Sequence, residues 1–287
     1  MTINQLEFFY EIAGCGNYTR AAEKIHVTQP TLSKAIKSLE KEVGSALFVR
    51  TREGVRLSET GEKLIIHVKP LIANLRALNR SIYEIQHGLH SIRIGIASGY
   101  GYCFIPEMTQ KLMGTNIDLN WTESRLEILL ASLKSGEIDI ALLPENKVDP
   151  EIYDAAPFRT VEYIVLTSVK SRLLGREAIS PDMLAEERLI LFDDTSNAAE
   201  LFTELEGWEE FAPKNLFLTN QLSTLLELVE WDMGISLVIR DVWEKIHSGA
   251  LFGTIQLKPR YYQNLVLCWK KKSPKLSLIK KIAKTVV

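Results

Sequence analysis

The sequence predicts an α/β protein in three parts: an all-α-type winged helix-turn-helix head, a long linker helix, and a larger α/β module. Three observations predict it. Residues 17–44 spell two short helices joined by a tight turn. Residues 64–89 carry an unbroken heptad seam. Beyond residue 90, apolar runs of strand length alternate with helical stretches, the pattern of βα units with largely parallel sheets.

A first helix is expected over residues 3–13, with Ile3, Leu6, Phe9 and Ala13 inward and Gly14-Cys15-Gly16-Asn17 as its stop. Ala21, Ala22 and Ile25 mark the buried side of the next helix. Leu32, Ile36, Leu39 and Val43, spaced 4, 3 and 4, mark the one after it. Thr28 is placed to cap that helix with its hydroxyl. Pro30 falls in its first turn, where a missing N–H costs nothing. Gly44 stands where a left-handed C-terminal cap is wanted.

The opposite face carries Gln29, Pro30, Thr31, Ser33, Lys34, Lys37 and Lys41. Gln can bridge an adenine edge, Ser and Thr donate or accept, and Lys reaches guanine or phosphate. A solvated helix face also shows lysines. Caps, turn, apolar stripe and polar face in one register point instead to a helix that lies in a DNA groove. Residues 47–57 read as a two-stranded wing with its tip at Arg52-Glu53-Gly54-Val55. Arg50, Arg52 and Arg56 are set to reach phosphates or a minor groove.

Ser58 can cap the long helix, and Glu59 complements its dipole. Leu64, Val68, Leu71, Leu75, Leu78, Ile82, Ile85 and Leu89 alternate spacings of 4 and 3, the a/d seam of a self-associating helix. Pro70 should bend it. Strands are expected at 92–97, 118–122, 138–143, 163–167, 188–192, 216–219, 235–239 and 265–269. Helices are expected near 103–113, 125–135, 195–206, 222–233, 241–247 and 276–286.

The 287 residues are 46% hydrophobic and 24% charged, ordinary values for a globular protein. The net charge of −2 hides an asymmetry. Residues 1–58 hold eight Lys and Arg against six acids, a balance of +2, and the remainder holds 26 against 30, a balance of −4. A small basic reader on a larger acidic module has this distribution. No apolar run spans a membrane and no signal peptide is read at Met1–Glu7, so a cytoplasmic location is expected. Cys15, Cys103 and Cys268 show no CxxC spacing and read as structural thiols. The five histidines form no HExxH. No metal and no cofactor are expected.

The first ninety residues resemble the N-terminal part of LysR-type transcriptional regulators. The resemblance rests on Leu6-Glu7-Phe8-Phe9, Thr19-Arg20-Ala21-Ala22 and Val27-Thr28-Gln29-Pro30-Thr31-Leu32-Ser33. It continues through Leu47-Phe48-Val49-Arg50-Thr51 and Leu57-Ser58-Glu59-Thr60-Gly61. Tyr18, Lys34 and Val49 stand where Phe, Arg and Glu are common in that family. The resemblance implies domains at 1–58 (DNA-binding), 59–90 (dimerising linker) and 91–287 (effector-binding). The last is periplasmic-binding-protein-like, with one lobe from about 91–160 and 261–287 and a second from about 161–260. Looser support comes from Ile94-Gly95-Ile96, from residues 135–141 and from residues 228–236.

The expected DNA-binding residues are therefore Thr28, Gln29, Pro30, Thr31, Ser33, Lys34, Lys37, Arg50 and Arg52. The dimerising residues are Leu64, Val68, Leu71, Leu75, Leu78, Ile82 and Ile85. Ligands of open α/β modules bind beyond the carboxyl ends of strands. That places the effector at Ser98, Tyr100, Tyr102, Thr195 and Ser196, which come after strands 92–97 and 188–192. Helix N-termini there favour a small polar metabolite, anionic by preference. Asp193 and Asp194 would oppose an anion, which leaves a neutral or amine-bearing ligand open. The expected partners are double-stranded DNA with a pseudo-palindromic operator, RNA polymerase and further copies of the chain, as homodimer or tetramer. A transport-type solute binder fits the C-terminal two thirds but not the head. An enzyme is the other alternative, and no GxSxG, Walker, GxGxxG or zincin motif supports it.

Overall fold

A computed structural model of the chain describes residues 1–287 except 53, 88–90, 116, 193–214 and 246–250; the side chains of 80, 81, 83–85, 87, 181, 182 and 192 also lie outside the description. The chain divides into two compact units, the first containing Met1–His87 and the second containing most of the remaining residues.

The first unit opens with α1 (Ile3–Cys15), α2 (Tyr18–Lys24) and α3 (Gln29–Val43). Local chemistry sets each boundary. Thr2 and Gln5 form a reciprocal capping box at the start of α1, and Gly16 ends it at φ 62°. The Asn17 side chain accepts from the Thr19 and Arg20 amides at the start of α2. Thr28 caps α3 by accepting from the Thr31 amide, and Gly44 closes it at φ 78°. Leu6, Phe9, Ile12, Ala21, Ala22, Leu32, Ile36 and Leu39 are all buried in one core.

The ends of two expected stripes overhang this core: Ile3 is 52% and Val43 38% exposed. Each lies at a helix terminus with no element beyond it to cover it. The wing is an antiparallel pair, β1 (Phe48–Thr51) and β2 (Gly54–Leu57), with Thr51 opposite Gly54. The Val55 amide donates to the Gly16 carbonyl at 2.8 Å. Gly54, at φ 143°, is required there, because a Cβ would fall 2.3 Å from the Gly16 oxygen.

Helix α4 (Glu59–His87) continues through Pro70. Ser58 receives the Gly61 amide at 3.0 Å and donates to the Ala46 carbonyl, joining the start of α4 to the wing. Ile65, Val68 and Ile72 complete the core of the head. Val68, expected in the dimer seam, is therefore committed to its own unit.

Glu11 adds an ionic tie. Its buried carboxylate pairs with Lys24 of α2 at 2.8 Å and Arg76 of α4 at 2.6 Å. The Arg76 guanidinium also sits 5.2 Å from the Tyr10 ring centroid. The Lys24 side chain is 61% and the Arg76 side chain 41% exposed, so solvent screens the pairs in part. Glu11→Ala is expected to cost about 2 kcal/mol, the scale of lost charge-assisted hydrogen bonds. Urea unfolding of the full chain should show an earlier first transition, and an unchanged midpoint would remove the tie from the account.

The second unit holds a mixed sheet in the order β10 (Ser236–Ile239), β6 (Tyr153–Ser168), β11 (Phe252–Lys270), β5 (Ile140–Pro144), β3 (Ser91–Ala97), β4 (Asp118–Ser124), with β7 (Ala178–Ile179) beside β11. Among the described residues, parallel pairing joins β3 to β4 and β5, β7 to β11 over a short contact, and β8 (Arg188–Phe192) to β9 (Asn215–Thr219), with an isolated parallel bridge between Leu189 and Ile235. The expectation of largely parallel sheets is corrected by β6 and β11. These pair antiparallel along most of their length, and β10 adds antiparallel to β6.

Both long strands pass through two cores. Ile164, Leu166, Leu265 and Leu267 lie in one with α5 (Gly101–Leu112) and α6 (Leu126–Ser135). Val165, Ile255 and Leu257 lie in the other with Leu189, Ile235 and Leu237. The short α7 (Pro181–Ala185), α8 (Leu222–Glu230), α9 (Arg240–Lys245) and the terminal α10 (Leu276–Val286) are the other described α-helices. The helix expected at 195–206 lies outside the described residues.

Candidate DNA-binding face and effector pocket

On α3 the buried Leu32, Ile36 and Leu39 force Gln29, Thr31, Lys34 and Lys37 to the outside, with Ser33 half-buried at the edge of the stripe. Thr28 and Pro30 are exposed at the start of the helix, and Arg50 and Arg52 are exposed on the wing. A groove of about 460 Å³ brings Gln29, Ser33 and Lys37 of α3 together with Arg50 of β1. Lys34, Thr31 and Arg52 do not line it. Thr28 and Thr31 bond each other through their hydroxyls at 2.8 Å, so both serve the helix start.

Asn17 and Thr19 also line the groove, and neither was singled out from the sequence. Asn17 as the cap of α2 was the available signal, because it aims a second helix N-terminus at the same space. Tyr18 forms part of the groove floor and meets the Phe48 ring edge-on at 5.9 Å. Burial, with Glu40 adding and Arg50 opposing, pushes its phenol up to about 12, so it remains a neutral donor.

Along α4, Leu71, Leu78 and Ile82 are 47%, 56% and 44% exposed, at spacings of 7 and 4. Leu64 and Leu75 are half-buried, and the Ile85 side chain lies outside the described residues. The helix therefore has one apolar face turned into its own head and a second turned to solvent.

In the second unit, a cavity of about 500 Å³ is lined by Ser98 and Gly99 just after β3, by Glu123 and Ser124 at the end of β4 with Arg125 after it, and by Asn220 and Leu222 after β9. Tyr102 and Ile128 lie on its wall. Ser98 and Tyr102, two expected effector residues, thus share one cavity. Tyr100 does not close over it. Its ring is buried, and its hydroxyl bonds Tyr163 at 2.8 Å and Gln263, residues of the long strands β6 and β11. Thr195 and Ser196 lie outside the described residues.

Nearby, Arg159 of β6 bridges Glu107 of α5 at 2.7 Å and Asp241 of α9 at 3.0 Å. Among the described residues no cluster of three metal-ligating side chains occurs, and no helix is long and apolar enough to cross a membrane.

Family models decide what this combination is. A bacterial regulatory helix-turn-helix model of the lysR family matches residues 3–62, and a LysR substrate binding domain model matches residues 86–286. The chain belongs to the LysR family. It is a transcriptional regulator with a DNA-binding helix-turn-helix and an effector-binding domain, and not an enzyme. This LysR-type regulator is 31% identical over 219 residues to the RuBisCO operon transcriptional regulator of Allochromatium vinosum, covering 72% of this chain and 70% of that one. It is 27% identical over 245 residues to the regulator CfxR of Cupriavidus necator, covering 83% and 75% of the two chains. The crystal structure of full-length CbnR with its target DNA has the same fold, with a TM-score of 0.72, 16% identity and all of both chains covered.

Proposed function

We propose that this LysR-type regulator acts in the cytoplasm as a dimer, or a tetramer of paired dimers. Its α3 helices read the two halves of a pseudo-palindromic operator, and RNA polymerase is its downstream partner. One observation carries the DNA-reading assignment: Gln29, Ser33, Lys37 and Arg50 converge on one exposed groove opposite the buried stripe of α3. Gln29 and Ser33 suit base edges, whereas Lys37 and Arg50 suit phosphates. The exposed Leu71/Leu78/Ile82 face supports pairing through α4. CbnR, a protein of the same fold, has been crystallised on its target DNA.

A small polar metabolite is assigned to the cavity at Ser98 and Tyr102. A peroxide-sensing alternative is suggested by a hydrogen peroxide-inducible genes activator of Pectobacterium carotovorum, 25% identical over 294 residues. The chemistry of two of the three thiols disfavours it. Cys103 and Cys268 are buried, and burial pushes each thiol up to about 12, which suppresses the reactive thiolate.

The groove is tested by salt dependence. Lys37→Ala and Arg50→Ala should each weaken binding to all DNA sequences and lower the slope of log K against log salt by about one. Slopes equal to that of the parent protein would move the interface off this groove.

A further inference from the structure

The cavity holds a carboxylate at a defined place on its lining. In the parallel β3–β4 pair Glu123 stands opposite Ile96, one residue before the end of β3. Its carboxylate turns over the loop after β3 and accepts the Gly99 amide at 2.9 Å. Gly101 makes room for it: a Cβ there would fall 2.2 Å from one carboxylate oxygen and 3.1 Å from the other. Helix α5 begins at Gly101, and Tyr100 supplies no side-chain cap. The chain's own carboxylate thus lies beside the start of that helix, the end expected to draw an anionic ligand. Among the described residues no cationic side chain pairs with Glu123, and the residue lines the cavity.

We propose that the cavity takes a ligand bearing a protonated amine, seated against Glu123, rather than a simple anion. The inference rests on the assignment of the effector to this cavity. An anion entering beside Gly99 meets the Glu123 carboxylate and must displace it from the Gly99 amide, whereas an ammonium group there gains a charge partner. Ser98 and Ser124 offer further hydrogen-bond partners, and Tyr102 and Ile128 an apolar wall. Arg125 is on the same lining.

The test is calorimetry on the full-length protein with benzylamine and benzoate, matched in size and opposite in charge, at millimolar concentration. Benzylamine should bind on the order of tenfold more tightly than benzoate, a difference of about 1.4 kcal/mol. Glu123→Gln should erase that preference. Gly101→Ala, which evicts the carboxylate without changing any charge, should weaken amine binding as well. Ile128→Trp, which fills the cavity from an exposed position, should abolish binding of either probe. Equal or tighter benzoate binding, or amine binding indifferent to Glu123→Gln, overturns the amine assignment while Ile128→Trp still blocks the site. Binding untouched by Ile128→Trp, or no binding of either probe, overturns the cavity assignment and the inference with it.

Discussion

Replacing Leu71 and Leu78 together by aspartate is expected to convert the protein to monomers. Both side chains are about half exposed in the single chain, so the substitutions leave the head's own core intact. In a pair of α4 helices each would bury a carboxylate against its partner. Burying unpaired charge in a seam costs about 4 kcal/mol or more, which weakens association roughly a thousandfold. Sedimentation should show the smaller species with unchanged circular dichroism, and cooperative binding to paired half-sites should disappear. An oligomer identical to that of the parent protein would show that the outward face of α4 is not the seam.

The double variant Gln29→Ala, Ser33→Ala is expected to lose sequence discrimination while keeping its fold. Neither residue belongs to the Leu32/Ile36/Leu39 stripe. Each lost base-edge contact should cost about 1–3 kcal/mol and relax preference at one position. Non-specific affinity, which depends on Lys37, Arg50 and their neighbours, should change little. The contrast separates base readout from phosphate attraction, because a phosphate role for Gln29 and Ser33 would lower affinity for all sequences alike.

The head was legible because its signals are local. Thr28, Pro30 and Gly44 fix the ends of α3 through caps that depend on a few neighbouring residues, and all three behave as the sequence implies. Strand 188–192 and the helix at 276–286 were equally readable from continuous or periodic apolar runs. The long strands β6 and β11 were read only in part, near 163–167 and 265–269. Their remaining stretches hold Pro157 and Pro259, which demote a strand reading. In the fold these prolines sit at register shifts, between Leu265 and Val266 and between Gln256 and Tyr261, where a missing N–H is tolerated.

Val68 was misassigned because a 4-3 seam does not show how one helix divides its apolar residues between its own head and a partner. Glu123 was not singled out from the sequence for a similar reason. Glu123 lies 24 residues from Gly99, and only the β3–β4 register brings the two together.

Selection of binding sites from a random duplex library by the full-length protein tests the central claim most directly. The account predicts enrichment of a pseudo-palindrome whose half-sites lie about one helical turn, roughly 10.5 base pairs, or a multiple of it apart. The variant Gln29→Ala, Ser33→Ala should fail to enrich the same half-site. Recovery of no preferred sequence, of a single unrepeated half-site, or of the same motif by the variant would contradict paired α3 helices as the readers.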